Sequence, residues 1–168
     1  DMNDIVEVTG FYEKTPLIRF VQKGKGVVSF TGEKLYESQV LASVDHAFAP
    51  MLGRYEFIAA IGEMRGAKPR YVFLIEFGQP VQDAQAKAIL DSLEASLRSQ
   101  NTEYASKRDS MRLDSPVLRI IKSDEFDRYR KRAVEKGKSD GQFKILRLTA
   151  DAGFAKEFEA EREVMADT

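Results

Sequence analysis

Apolar and polar side chains alternate through Ile5-Val6-Glu7-Val8-Thr9 and stop at Gly10, and Leu17-Ile18-Arg19-Phe20-Val21 repeats the pattern after Pro16. A period of two predicts two short strands. Lys23-Gly24-Lys25-Gly26 is a turn by composition, and strand character resumes over 27–30. Thr31 then offers an N-cap for a helix whose Leu35, Tyr36, Val40, Val44 and Phe48 fall at helical spacing, with Pro50 and Gly53 ending it. Two longer strands are predicted over 55–61 and 71–77, joined as an antiparallel hairpin by Arg65-Gly66-Ala67-Lys68-Pro69. Pro80 opens a helix striped by Val81, Ala84, Ala88, Leu90, Leu93 and Leu97, fading near Gln100-Asn101. A strand over 117–121 follows, and then a helix capped by Ser123, carrying Phe126, Tyr129 and Val134 and closed by Gly137. The tail over 150–168 reads as a helix with Phe154 and Phe158 four apart, and Val164 and Met165 farther along. The order predicts an α+β fold, a mixed or antiparallel sheet covered by helices, with an N-terminal β-rich segment and a C-terminal helix.

Composition narrows the function classes. With 168 residues, eleven Phe and six Tyr, one domain can bury a real core without staples. The absence of cysteine rules out a disulfide scaffold and a thiolate metal site, and a single histidine argues against a histidine-rich metal centre. A net charge of −1 argues against a dedicated nucleic-acid binder. Apolar runs such as 71–75 are too short to span a bilayer, and no signal-peptide pattern opens the chain, so a cytoplasmic protein without membrane contact is the expectation. Asp1-Met2-Asn3-Asp4 leads straight into strand-like sequence, which reads as a piece of a longer protein.

Several separated stretches line up with one family pattern. Asn3-Asp4-Ile5-Val6-Glu7-Val8-Thr9-Gly10-Phe11, then Pro16, Phe20 and Lys23, then Ser29 and Gly32-Glu33-Lys34-Leu35-Tyr36-Glu37 match in order and spacing. So do Asn101, Tyr104, Arg108, Pro116, the Phe126 helix, and Gly137 followed by Gly141-Gln142-Phe143-Lys144. Over residues 3–148 the chain resembles the C-terminal part of the GH-three acyl acid amido synthetases of the auxin-responsive promoter family. The resemblance implies a small mobile domain of an adenylate-forming enzyme, related to acyl-CoA synthetases and luciferases, that swings over a large N-terminal domain. Family members activate a carboxylic acid with ATP as an acyl-adenylate, releasing pyrophosphate, and pass the acyl group to the amine of an amino acid. On this likeness, 1–22 are strands leading to the inter-domain hinge, 23–149 the mobile domain and 150–168 the tail. ATP is the implied cofactor, with Mg2+ bound mainly by the N-terminal domain.

The same likeness assigns roles residue by residue. Asp4 matches the aspartate that holds the ribose hydroxyls, a task suited to two accepting oxygens, although Asn3 stands where the family has glycine. An ordinary turn aspartate is the competing reading. Lys144 matches the lysine that the closed domain delivers to the reacting phosphate, where a mobile cation stabilises charge developing in the transition state. A solvated loop lysine is its competitor. Lys34, placed at the start of the predicted helix, is the second phosphate contact, unless Glu33 pairs with it or with nearby basic residues. Gln22 and Lys23 fall at the hinge.

Other features read as structure. His46, after Asp45, is a histidine near a helix C-terminus. Arg128, Arg130, Lys131, Arg132, Lys136 and Lys138 share their segment with Asp124, Glu125, Asp127 and Glu135, the pattern of a solvated face. A stand-alone ligand- or partner-binding module and the C-terminal domain of an acyl-CoA ligase are the alternative functions. The tail is expected to dock on its own domain, with a homodimer contact through 150–168 as the alternative.

Overall fold

The computed structural model describes residues 4–23, 26–51, 55–135, 143 and 145–166, with backbone only for 4, 5, 20–23 and 51. Alternation at the N-terminus gives a two-stranded antiparallel hairpin of β1 (Asp4–Tyr12) and β2 (Thr15–Lys23). Gly10 does not end the first strand. The register shifts between Val8 and Gly10, and the ladder continues to Tyr12. Directly paired residues share a face, so Val6, Val8, Phe11 and Ile18 stand together, 45 to 68% exposed.

The predicted strand at 27–30 shrinks to β3 (Val27–Val28), which pairs antiparallel with β4 (Leu35–Tyr36). Thr31 is therefore not an N-cap: it lies inside the β3–β4 turn, and α1 (Glu37–Phe48) starts only after that pair closes. The Glu37 amide donates to the Gly26 carbonyl at 2.8 Å. The Tyr36 amide donates to the Gln39 side chain at 3.2 Å, satisfying an N–H that the helix leaves free. Val40, Val44, Ala47 and Phe48 are buried, as the helical spacing requires.

The main sheet is mixed, in the order β8 (Leu148–Thr149), β5 (Tyr55–Arg65), β6 (Lys68–Phe77), β7 (Val117–Ile121), β9 (Ala160–Met165). β5 and β6 form the predicted hairpin, and β7 joins β6 in parallel. Pro69 to Phe77 are buried without a break, as in a central strand covered on both faces. On one face Ile58, Ala60, Tyr71, Phe73, Ile75 and Leu118 meet α1, α2 (Asp83–Gln100) and α3 (Thr102–Asp109). On the other, Phe57, Ala59, Ile61, Val72, Leu74 and Val117 meet α4 (Glu125–Glu135) and the tail. Farther along this second face Glu63, Arg70, Arg119 and Glu163, one from each of four strands, form a continuous set of ion pairs.

Helix boundaries differ from the sequence expectation for local reasons. α2 begins at Asp83, after Gln82 closes its amide onto Gln85 at 3.2 Å, and its buried stripe is Ala86, Ile89, Leu90, Leu93 and Leu97. The helix that was expected to fade at Asn101 is followed at once by α3, because Asn101 caps it, its side-chain oxygen accepting from the Tyr104 amide at 2.9 Å. α4 is capped from outside its own segment. Glu76 of β6 accepts from the Asp124 and Phe126 amides at 2.7 and 2.8 Å, taking the role expected of Ser123. Gly137, like Gly53 before it, lies outside the described residues.

The C-terminal helix is overturned. Residues Ala152–Glu157 form a 3-10 helix, and β9 pairs antiparallel with β7. Both phenylalanines are still buried, by a different geometry: Phe57 stacks between Phe126 (4.6 Å) and Phe158 (5.2 Å), and Phe154 packs edge-on to Phe158. A four-residue spacing fits a helical stripe, but Glu161, Glu163 and Met165 alternate with Arg162 and Val164, a period of two that aromatic spacing upstream obscures. The tail thus docks on its own domain.

At Gly62 of β5, a Cβ would stand 1.6 Å from the Phe30 ring, which crosses the strand there on its way to an edge-on contact with Tyr71 at 5.5 Å. Gly62→Ala is expected to destabilise the fold by roughly 1–3 kcal/mol through overpacking. Adding Phe30→Ala should recover part of that loss, read as non-additive free energies in urea denaturation.

Candidate functional site

The chemistry-bearing turn is built around a carboxylate that points inward. Between β3 and β4 the chain reverses through Gly32 at φ +100°, a left-handed conformation suited to glycine. Glu33 follows and is fully buried. Its Oε1 accepts from the Phe30 amide at 2.9 Å and the Tyr71 hydroxyl at 2.8 Å. Its Oε2 accepts from the Thr31 amide at 2.8 Å and the Thr31 hydroxyl at 2.6 Å. No cation is in this set. The expectation that Glu33 pairs with Lys34 or another base is therefore corrected: neutral donors, converging because the turn aims its amides inward, carry the charge instead. Burial alone would raise the Glu33 pKa, but the Thr31 hydroxyl, the Phe30 amide, the Tyr71 hydroxyl and the Thr31 amide outweigh it and hold the pKa below the usual carboxylate value. Burial, and then the Glu33 charge, push the Tyr71 phenol up.

A second anchor comes from α3. The Asn101 side-chain amide donates to the Lys34 carbonyl at 2.9 Å and to the Gln39 side chain at 3.0 Å. Tyr104, one turn on, is buried against the Tyr71 ring at 6.0 Å, and its hydroxyl donates to Glu94. Arg108 locks the far end of α3, donating to Glu94 at 2.7 Å, to the Leu113 carbonyl at 2.9 Å and to Ser115 at 3.0 Å. The Lys34 backbone is thus held on both sides while its side chain is exposed. It does not sit at a helix start as expected. Lys34 precedes β4, so the fixed turn, not a helix dipole, positions it.

The other candidates fall as follows. Asp4 pairs with Lys23 and Ile5 with Gln22, so the backbone brings the ribose candidate and both hinge candidates to one end of the hairpin. Lys144 lies outside the described residues, but its flanks are placed. Phe143 packs on Tyr129 and Phe126 of α4, at 5.8 and 6.2 Å. On the other side, the Arg147 carbonyl accepts from the Ala60 amide at 2.8 Å, and Arg147 donates to the Ile58 carbonyl at 2.8 Å. The strand after Lys144, β8, lies beside β3, which leads into the Lys34 turn. His46 is exposed in the last turn of α1. Within the basic cluster Arg128 meets Glu125 at 3.0 Å and Arg132 meets Glu157 at 3.7 Å, while Lys136 and Lys138 lie outside the described residues. Among the described residues no group of three or more His, Asp or Glu side chains is placed to hold a metal ion, and no helix is long and apolar enough to cross a membrane.

Residues 38–153 match the GH3 family C-terminal domain. The chain belongs to this family. It is 26% identical over 160 residues to the indole-3-acetic acid-amido synthetase GH3.3 of Arabidopsis thaliana, a match covering 89% of this chain and 26% of that protein. It is likewise 26% identical over 168 residues to the indole-3-acetic acid-amido synthetase GH3.15 of the same plant, covering 95% of this chain and 28% of the relative. The chain therefore spans about a quarter of the length of these curated relatives. In fold it is similar to a solved GH3.15 acyl acid amido synthetase, with a TM-score of 0.82 at 21% identity over 99% of this chain and 32% of that one. A second solved structure, an acyl acid amido synthetase in complex with 2,4-DB, gives 0.70 at 20% identity over 99% and 31%.

Within this GH3 family domain, Asn101, Tyr104 and Arg108, met in the sequence only as family markers, are the scaffold of the Lys34 turn. The signal for α3 was present in Asn101-Thr102-Glu103-Tyr104, a cap followed by an acidic first turn. Tyr71 carried no such signal: only the folded sheet sets its hydroxyl against a carboxylate 38 residues away.

Because the folded pKa of Glu33 lies below its ordinary value of 4.5, its contribution is fully present above that value and is lost as pH falls through the folded pKa. Glu33→Gln should lower stability at pH 7 by roughly 1–3 kcal/mol, since an amide cannot accept all four bonds. The gap between wild type and variant should narrow below pH ~4.5, measured by denaturant unfolding across the acid range.

Proposed function

We propose that this chain is the C-terminal part of an ATP-dependent acyl acid amido synthetase that adenylates a carboxylic acid and joins it to an amino acid. The observation that carries the reading is the Gly32-Glu33-Lys34 turn, fixed by buried bonds yet presenting an exposed lysine, in a chain of the GH3 family. Two curated relatives are named as amido synthetases, and they are about four times as long as this chain. The remaining length fits a large N-terminal body that supplies the acyl pocket and holds Mg2+.

The residues divide the work. ATP supplies the activating adenylyl group. Lys34 and Lys144 offer ammonium groups to phosphate oxygens, and Lys144 does so as negative charge grows there, which favours the transition state over bound substrate. Asp4 accepts from the ribose hydroxyls. The hairpin ladder ends at the Asp4–Lys23 pair, so the hinge proposed at Gln22 and Lys23 lies where the paired strands give way to the 23–149 body, beside Asp4. The open apolar face of Val6, Val8, Phe11 and Ile18 supports a partner: a lone two-stranded hairpin is marginal in water and gains a buried face against the N-terminal body. ATP dependence favours a cytoplasmic setting.

In a protein carrying both parts, Lys144→Ala should cut acid-dependent pyrophosphate release by roughly 100- to 1,000-fold with ATP affinity retained. Equal loss of both would make Lys144 a binding residue. The 168-residue chain alone should release no pyrophosphate from ATP with any carboxylic acid, and release above background would overturn the division of labour.

A further inference from the structure

The Lys34 turn has a second basic neighbour that neither composition nor the family likeness singled out. Lys107 sits in the last turn of α3, half-buried, and reaches back over Gly32. Its Nζ and Cε lie 3.7 and 3.8 Å from the point where a Gly32 Cβ would stand. The same helix holds the Lys34 carbonyl through Asn101, so one rigid element carries both the anchor of Lys34 and this second ammonium. Among the described residues neither ammonium has a hydrogen bond or ion pair, and the acid between Gly32 and Lys34 is turned inward and filled by neutral donors. Basic residues on α2 and α3 nearby are compensated differently: Arg98 pairs with Asp109, and Arg108 with Glu94.

We propose that Lys107 and Lys34 form the two sides of one anion seat over Gly32, and that the seat takes the phosphate groups of the nucleotide. The proposal rests on the assignment of Lys34 to phosphate and extends it to a residue from a different element. An uncompensated ammonium over Gly32, two residues from a second one that is exposed on the same turn, is an arrangement that an oligophosphate neutralises and that a side chain at position 32 would crowd. As point charges on flexible stems, both lysines can follow the phosphate oxygens without demanding a fixed fork geometry. Lys107 is fixed to the helical layer of its own domain, so it stays with the Lys34 turn whatever the orientation of the domain.

The test titrates inorganic pyrophosphate into the isotope-labelled 168-residue chain at low, constant ionic strength and follows the backbone amides. Saturable shifts are expected at Gly32, Glu33 and Lys34. Lys107→Gln should weaken the binding roughly five- to tenfold, as loss of one close charge does, and Lys107→Arg should largely restore it. Lys68→Gln, an exposed lysine at the β5–β6 turn, should change nothing. Unaltered shifts outside the turn show that each variant is folded. If Lys107→Gln binds as wild type while Lys34→Gln loses affinity, the two-sided seat is wrong and the phosphate role of Lys34 stands. If the wild-type amides of 32–34 do not respond to pyrophosphate, the phosphate assignment of the turn falls as a whole.

Discussion

A carboxylate buried without a cation has to collect its donors from the backbone around it, and Glu33 does so at the point where the small β3–β4 unit meets the main sheet. Two of its four bonds close its own turn, through the amides of Phe30 and Thr31; a third comes from the Thr31 hydroxyl. The fourth reaches Tyr71 in the central strand, and so transfers the position of the turn to the most buried element of the fold. Removing any one donor leaves a charged oxygen short of partners in a place where water cannot replace it. The conformation of 30–34 is therefore determined by electrostatic satisfaction more than by turn propensity. Phe30 adds a steric condition. Its ring lies where a side chain of Gly62 would be, and it can reach Tyr71 only because β5 has none there.

The sheet imposes the second constraint. β6 is covered on both faces, so each face needs its own layer, and the chain supplies them from different ends. α1, α2 and α3 form one layer. The other is assembled from α4 and the tail, whose Phe154 and Phe158 complete an aromatic stack begun by Phe57 and Phe126. Charged side chains serve as joints between these layers. Glu76 leaves β6 to cap α4, and Glu125 of α4 accepts from the Glu159 amide at 2.8 Å, just ahead of β9. Arg147 hooks the β5 edge and Phe143 packs on α4, so the described residues on either side of position 144 are tied to elements of the sheet domain.

How much of this was legible depended on the range of the interaction. Strand alternation, the β5–β6 hairpin and the stripes of α1 and α2 are local patterns, and the sequence displays them. So is the capping signature at Asn101, though the long apolar stripe before it masks the new helix. The tail went wrong because two phenylalanines at helical spacing outweighed the alternation of Arg162 and Val164 with acids, and because pairing with β7 is decided by a distant strand. For the candidate site, the lysine in Gly32-Glu33-Lys34 could be named from the family likeness, but its support could not. Tyr71, Asn101 and Lys107 reach the turn from 38, 67 and 75 positions away along the chain, and no spacing rule encodes such contacts.

The order of stabilities that follows bears on how the chain can work. The turn that presents Lys34 is held by buried hydrogen bonds to two neighbouring elements, and local opening there would break several of them at once. The hairpin is the opposite: β1 and β2 satisfy each other's backbone, yet leave one apolar face in water. Rigidity is therefore concentrated around Lys34, Lys107 and the α3 scaffold, while the element carrying Asp4 draws its stability from whatever covers it. Under the proposed function a fixed cation comes from the moving domain and a ribose contact from the body it moves against, a division that this order of stabilities would serve. Side-chain hydrogen bonds set the first; burial of Val6, Val8, Phe11 and Ile18, each contributing on the order of 1–3 kcal/mol when fully covered, sets the second.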